Sequence, residues 1–99
     1  MAVYSGSIDL TERSFDAGEV VLNYAEGPAT GPALVLLHGG SARWQYFLPL
    51  IPDLARQWQV YAVDLRGHGE SGRVPGRYAL RHYASDICAF LAGVSGPAF

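Results

Sequence analysis

Ala33-Leu34-Val35-Leu36-Leu37-His38-Gly39-Gly40-Ser41 is the stretch that decides how the rest of the chain is read. Its four consecutive branched apolar residues, Leu34 to Leu37, predict a strand buried on both faces, as in a parallel sheet covered by helices. His38, Gly39 and Gly40 end the run. Two glycines at the carboxyl end of such a strand let backbone N–H groups come close to a ligand, and that is where open α/β sheets place their sites.

Downstream, Phe47, Leu50, Ile51 and Leu54 fall at i, i+3, i+4 and i+7, which predicts one apolar helical face. Pro49 and Pro52 require that helix to start late or to break near them. Trp44 and Tyr46, at its start, are expected to pack against the sheet rather than line a pocket. Gln59 to Leu65 reads as a second strand, with the apolar run 60–63 before Asp64, so strand, helix and strand make a right-handed crossover unit. A sharp loop, residues 66–72, is prolonged through Arg77 by Pro75 and Gly76. A second helix follows, with Leu80, Tyr83, Ala84, Ile87 and Leu91 on one face and Gly93 as its stop. Upstream, Thr11 to Phe15 and Val20 to Tyr24 fit a hairpin, and the breaker-rich segment 27–32 connects it to the Leu34 strand.

Ninety-nine residues make at most one modest domain. A hydrophobic content of 49% against 16% charged, with 12 Gly and 6 Pro, describes a globular chain with a core. The net charge of -2, without a basic cluster, argues against nucleic acid and against an anionic membrane surface. All 7 basic residues are arginines, so neither a lysine Schiff base nor a phosphate-loop lysine can form. The single Cys88 has no internal disulfide partner, no apolar run approaches the roughly 20 residues of a membrane span, and no signal pattern opens the chain. A cytoplasmic location is the expectation.

Two motifs fail on context. Gly67-His68-Gly69-Glu70-Ser71-Gly72 matches G-x-G-x-x-G after a strand, but the loop continues where a helix should open, and Asp86 falls on a helix instead of ending a second strand. Gly93-Val94-Ser95-Gly96-Pro97 has a proline where G-x-S-x-G needs glycine, and no strand precedes it. His38, His68 and His82 have no recognised metal-ligand spacing with Asp64 or Asp86, although His38 and His68 both follow strand ends and can approach each other. His82 and Cys88 read as structural helix residues. Neither a metal nor a cofactor is expected.

Taken together, Leu34-Val35-Leu36-Leu37-His38-Gly39-Gly40 and Val63-Asp64-Leu65-Arg66-Gly67-His68-Gly69-Glu70-Ser71 resemble the N-terminal part of α/β-hydrolase-fold enzymes, in order and in separation. The resemblance covers nearly the whole chain. It implies an α/β fold in which a β-hairpin precedes a β-α-β-α segment with parallel strands and an incomplete sheet. It also implies that the loop after the Leu34 strand supplies one oxyanion-hole N–H, with Gly40 the first choice, Ser41 the second and His38 a support for the loop. A preorganised N–H of that kind contributes on the order of 3 to 4 kcal/mol against the charge that develops on a carbonyl oxygen under attack. Asp64, Arg66, Gly67, His68, Gly69 and Ser71 correspond to the family's sharp structural turn.

The resemblance further implies that nucleophile, acid and catalytic histidine come after Phe99. Residues 1–99 are therefore expected to be a single partial domain, cut before the nucleophile elbow, inactive alone, and acting on a small-molecule ester or lactone substrate only in a full-length protein. An aspartate-nucleophile dehalogenase or epoxide hydrolase is an open alternative. So is a small non-catalytic module that self-associates through the unpaired edge of the Leu34 strand.

Overall fold

The computed structural model describes residues 9–95. The expected hairpin is present: β1 (Thr11–Asp16) runs antiparallel to β2 (Val21–Glu26), from Thr11 opposite Glu26 to Asp16 opposite Val21. β3 (Ala33–Leu37) and β4 (Gln59–Val63) pair in parallel, Leu34 beside Val60 and Leu37 beside Val63. β4 also pairs antiparallel with β2, so the order across the sheet is β1-β2-β4-β3.

That order corrects the expectation of a doubly buried Leu34 strand. Ala33 and Leu37 are exposed and residues 34–36 only half-buried, whereas residues 60–63 of β4 are all buried. The cause is position. β4 has a strand on each side and a packed layer on each face, while among the described residues β3 holds the edge of the sheet.

Side chains alternate across a strand, so β4 feeds two cores. Val60 and Ala62 join Ala25 beneath Trp44, Leu48, Ile51 and Ala55 on one face. Tyr61 and Val63 join Leu22 and Tyr24 beneath Phe90 on the other. The Phe90 ring stands edge-on to Tyr24, Phe15 and Tyr61, with centroids 4.9, 5.4 and 6.1 Å away, the geometry that ring quadrupoles favour.

Between β3 and β4 the prolines act as expected. The chain forms a 3₁₀ turn (Trp44–Phe47) and then a short α1 (Ile51–Leu54) with Pro52 in its first turn, where the missing N–H costs nothing. Trp44 is buried against the sheet, but Tyr46 projects outward at 67% exposure, and Leu50 leaves the predicted apolar face at 56%.

The second predicted helix, α2, spans Leu80–Phe90 and continues as a wider π-helical turn, Leu91–Ser95. Gly93 lies inside that turn and does not stop the helix. A Cβ there would run into the Phe15 ring, so packing is what requires glycine. The apolar stripe meets the sheet only in part: Ile87 packs against the Phe90 cluster, and the start of the stripe is turned away. His82, Asp86 and Phe90 are the buried residues of α2, while Leu80 is 83% exposed and Ala84 is exposed. Leu80, Tyr83, Ala84, Ile87 and Cys88 instead wall an apolar groove of about 350 Å³ with Leu37 and Leu65, beside the open edge of β3. No helix among the described residues is long and apolar enough to cross a membrane.

Candidate functional site

β3 delivers His38 to the carboxyl end of the sheet, where it is 7% exposed. Its Nε2 accepts the backbone N–H of Leu65 at 3.0 Å. The ring proton therefore sits on Nδ1, which donates to the Gly39 carbonyl at 2.6 Å. One imidazole thus ties the loop after β3 to the segment after β4. His68 lies beside it, with ring centroids 4.9 Å apart, and its Nδ1 donates to the Arg66 carbonyl at 2.9 Å.

Packing among the described residues does not demand glycine at 39 or 40. A Cβ at either would meet nothing within 4 Å, and neither residue has a positive φ. The left-handed residue of this loop is Ser41, at φ +62°, a conformation that costs a non-glycine residue strain energy and recurs at ligand loops. Gly39 and Gly40 line a cavity of about 330 Å³ with His38, Leu65, His68, Leu80 and Tyr83. Both glycines therefore border a space large enough for a small ligand.

The turn after β4 is organised by Asp64, which has no exposed surface. Oδ1 accepts the Trp44 N–H at 2.7 Å, and Oδ2 accepts the Glu70 N–H and Asn23 Nδ2, each at 3.0 Å. Ser71 completes the arrangement: its hydroxyl donates to the Asp64 carbonyl at 2.6 Å and accepts the Asn23 N–H at 2.8 Å. Gly69, at φ +51°, passes so close that a Cβ would strike the Asp64 carboxylate. Gly67, at φ +78°, packs under the Tyr78 ring. Through the Trp44 N–H, this turn also fixes where the chain goes after the His38 loop.

Arg66 shows what sequence reasoning missed. It is 1% exposed and forms a two-point pair with Asp86 on α2, while its Nη1 donates to Glu19 Oε1 and to the Arg77 carbonyl, both at 2.8 Å. Arg77 also pairs with Glu19. The Asp86 hydrogen bonds above all hold Arg66 charged, and the Arg66 hydrogen bond draws Glu19 below the usual carboxylate range. The spacing of Asp86 carried no signal, because it lies off the apolar face predicted for the helix and its partner is 20 residues away in the sequence.

His38, Gly40, Ser41 and His68 thus lie around or beside one cavity, and Asp64, Arg66, Gly67, Gly69 and Ser71 form the support behind it. Asp64 and Asp86 spend their carboxylates on internal donors. Among the described residues no group of three or more His, Cys, Asp or Glu side chains converges to hold a metal ion. The Gly67 to Gly72 segment doubles back, with the Gly67 N–H on the Gly72 carbonyl at 2.8 Å, and opens no helix. Gly96 and Pro97 of the failed G-x-S-x-G match lie outside the described residues.

Residues 32–97 match the family model described as alpha/beta hydrolase fold. The chain is 33% identical over 91 residues to a 2-(acetamidomethylene)succinate hydrolase from Mesorhizobium japonicum, covering 92% of this chain and 32% of that protein. It is 46% identical over 59 residues to a pimeloyl-[acyl-carrier protein] methyl ester esterase from Xanthomonas campestris, covering 60% and 23%. The crystal structure of the Cif epoxide hydrolase from Acinetobacter nosocomialis superposes with a TM-score of 0.81 at 25% identity, covering 88% of this chain and 27% of that one. The chain spans about a quarter to a third of the length of these relatives.

Proposed function

Because the chain belongs to the α/β-hydrolase fold family, we propose that it forms the N-terminal part of a hydrolase acting on ester- or lactone-type bonds of a small-molecule substrate. The loop 38–41 supplies one oxyanion-hole N–H in this reading, from Gly40 in the first place and Ser41 in the second. The observation that carries it is the pair of glycines that line the cavity although packing among the described residues leaves room for a side chain at each.

The chemistry follows from that placement. As a nucleophile attacks a carbonyl carbon, charge gathers on the carbonyl oxygen, and an N–H already held in place stabilises it without reorganising. His38 keeps the loop in place by gripping the Gly39 carbonyl and the Leu65 amide together. The nucleophile, the acid and the catalytic histidine belong, in this proposal, to chain beyond residue 99, and the open edge of β3 is where the next strand adds. The exposed, unpaired Cys88 suits a reducing cytoplasm.

Activity toward an activated ester such as p-nitrophenyl acetate tests this reading. The 99-residue chain should show no saturable turnover, and a protein carrying it together with the following sequence should. Saturable turnover by the 99 residues alone would overturn the proposal. An Asp in place of Ser or Cys on the strand after residue 99 would favour a dehalogenase or epoxide hydrolase, the reading that the superposition on an epoxide hydrolase supports.

A second reading rests on a different observation, the open β3 edge beside an apolar groove. There the chain is a non-catalytic module that self-associates through that edge. It calls for a monodisperse oligomer in light scattering; a monomer or an open-ended aggregate sinks it.

A further inference from the structure

The helix α2 begins at a residue that cannot cap it, since Ala79 carries no side-chain acceptor. Closure comes from the other direction. His82, third in the helix, turns its ring back so that Nδ1 accepts the Ala79 N–H at 3.0 Å, the part that Glu or Gln plays in a capping box. A ring nitrogen that accepts carries no proton, so the proton of this imidazole is on Nε2. Among the described residues Nε2 is buried without a hydrogen-bond partner, and the residue as a whole is 7% exposed.

The charges that bear on the ring come from every element around it. Arg77 in the preceding loop, Arg81 on α2 itself and Arg66 from the turn after β4 all oppose a positive ring. Glu19 from the hairpin favours one, but its carboxylate is engaged by Arg66 and Arg77. Asp86, one helical turn further on, is engaged by Arg66.

We propose that His82 is a proton-sensitive latch on the first turn of α2, closed when Nδ1 is bare and released when Nδ1 takes a proton from solvent. Protonation converts the acceptor into a donor that faces another donor. The Ala79 amide then loses its partner, and a charged ring sits in a site with no acceptor for Nε2–H. Leu80 and Tyr83 belong to that turn and wall the cavity beside Gly39 and Gly40. Release of the latch therefore reshapes the cavity and the adjoining apolar groove.

Burial first, then Arg77 and Arg81, push His82 below the ordinary imidazole value. With the folded value the lower one, the latch is fully closed above about pH 6.5 and opens as pH falls through the folded value.

NMR on the 99-residue chain tests the latch. Long-range proton–nitrogen correlations should show the Nε2–H tautomer of His82 at neutral pH. The hydrogen-exchange protection of the Ala79 amide should fall about fivefold to tenfold as the ring titrates, the scale of a lost helix cap, while the β4 amides keep theirs. His82→Gln keeps an acceptor that does not titrate, and its Ala79 protection should be flat over the same range. An Nδ1–H tautomer at neutral pH, unchanged protection through the titration, or the same pH dependence in H82Q would each overturn the proposal.

Discussion

Arg66 and Asp86 meet as a two-point ion pair, Nε to Oδ2 and Nη2 to Oδ1, each at 2.7 Å, across 20 residues of sequence. The pair joins the turn after β4 to the buried face of α2. At 1% and 2% exposure, neither charge has water to fall back on. Removing Asp86 leaves Arg66 only the partly exposed Glu19 carboxylate as counter-charge, so Asp86→Ala should cost about 3 kcal/mol in urea unfolding, the low end for a broken buried pair. The apolar double replacement Arg66→Met with Asp86→Leu should cost much less. Equal losses for the single and the double variant would show that the pair itself is not what holds α2.

Gly69 and Gly40 should respond oppositely to alanine. At Gly69 the left-handed backbone alone costs about 1 to 2 kcal/mol, and the collision with the Asp64 carboxylate adds to it. Gly40→Ala meets open space and should leave stability within about 0.5 kcal/mol of the parent. On the oxyanion-hole role proposed for Gly40, the same methyl in a full-length enzyme would displace the reacting carbonyl, with an expected loss of about tenfold to a hundredfold in ester turnover. Thermal melts of both variants and one rate assay decide this.

Asp64→Asn turns one carboxylate oxygen into an NH₂ group that must face the Trp44 N–H or the donors of Asn23 and Glu70. A buried donor left facing a donor costs about 1 to 3 kcal/mol. Because Trp44 is buried, the change should also red-shift part of the tryptophan emission. Unaltered stability and emission would contradict the hub role of Asp64.

Glu19 gives the acid limb of the stability profile a defined sign. Its hydrogen bond to Arg66, with that to Arg77, lowers its folded value. The contribution is therefore present above the unfolded carboxylate value of about 4.3 and is lost as pH falls through the lower folded one. Glu19→Gln should flatten the profile below about pH 4.5; an unchanged slope in that range would refute the assignment.

Leu80→Glu probes the outward-facing stripe of α2. With Leu80 at 83% exposure, monomer unfolding should move by no more than about 0.5 kcal/mol. Any self-association through the groove should weaken, as sedimentation would show. A large loss of stability would mean that Leu80 packs against the chain after all.

Much of the architecture could be read from local pattern. Alternation in residues 11–26 gave the hairpin, the apolar runs at 34–37 and 60–63 gave the parallel pair, and the prolines at 49 and 52 gave a broken first helix. The His-Gly-Gly loop and the Gly-His-Gly turn could be located because they rest on short-range chemistry. Ser41 could not be foreseen as the left-handed residue of its loop, since nothing in its type marks it. The role of Asp86 was equally hidden, because its partner is 20 residues away.

Local sequence pattern alone thus determined that this protein has a strand at Leu34, a strand at Val60 and an amphipathic helix from Leu80, because those elements depend on neighbours a few residues apart. Only the tertiary structure decided which strand is buried and which way the helix faces. β4 took the interior because β2 and β3 both pair with it, leaving β3 at the edge. The burial of Phe90 and the Arg66–Asp86 pair then fixed the rotation of α2, which left Leu80 and Ala84 of its apolar stripe facing outward while Ile87 packs on the core. A residue's spacing says which face of an element it shares. Which face meets the core is set by partners distant in sequence.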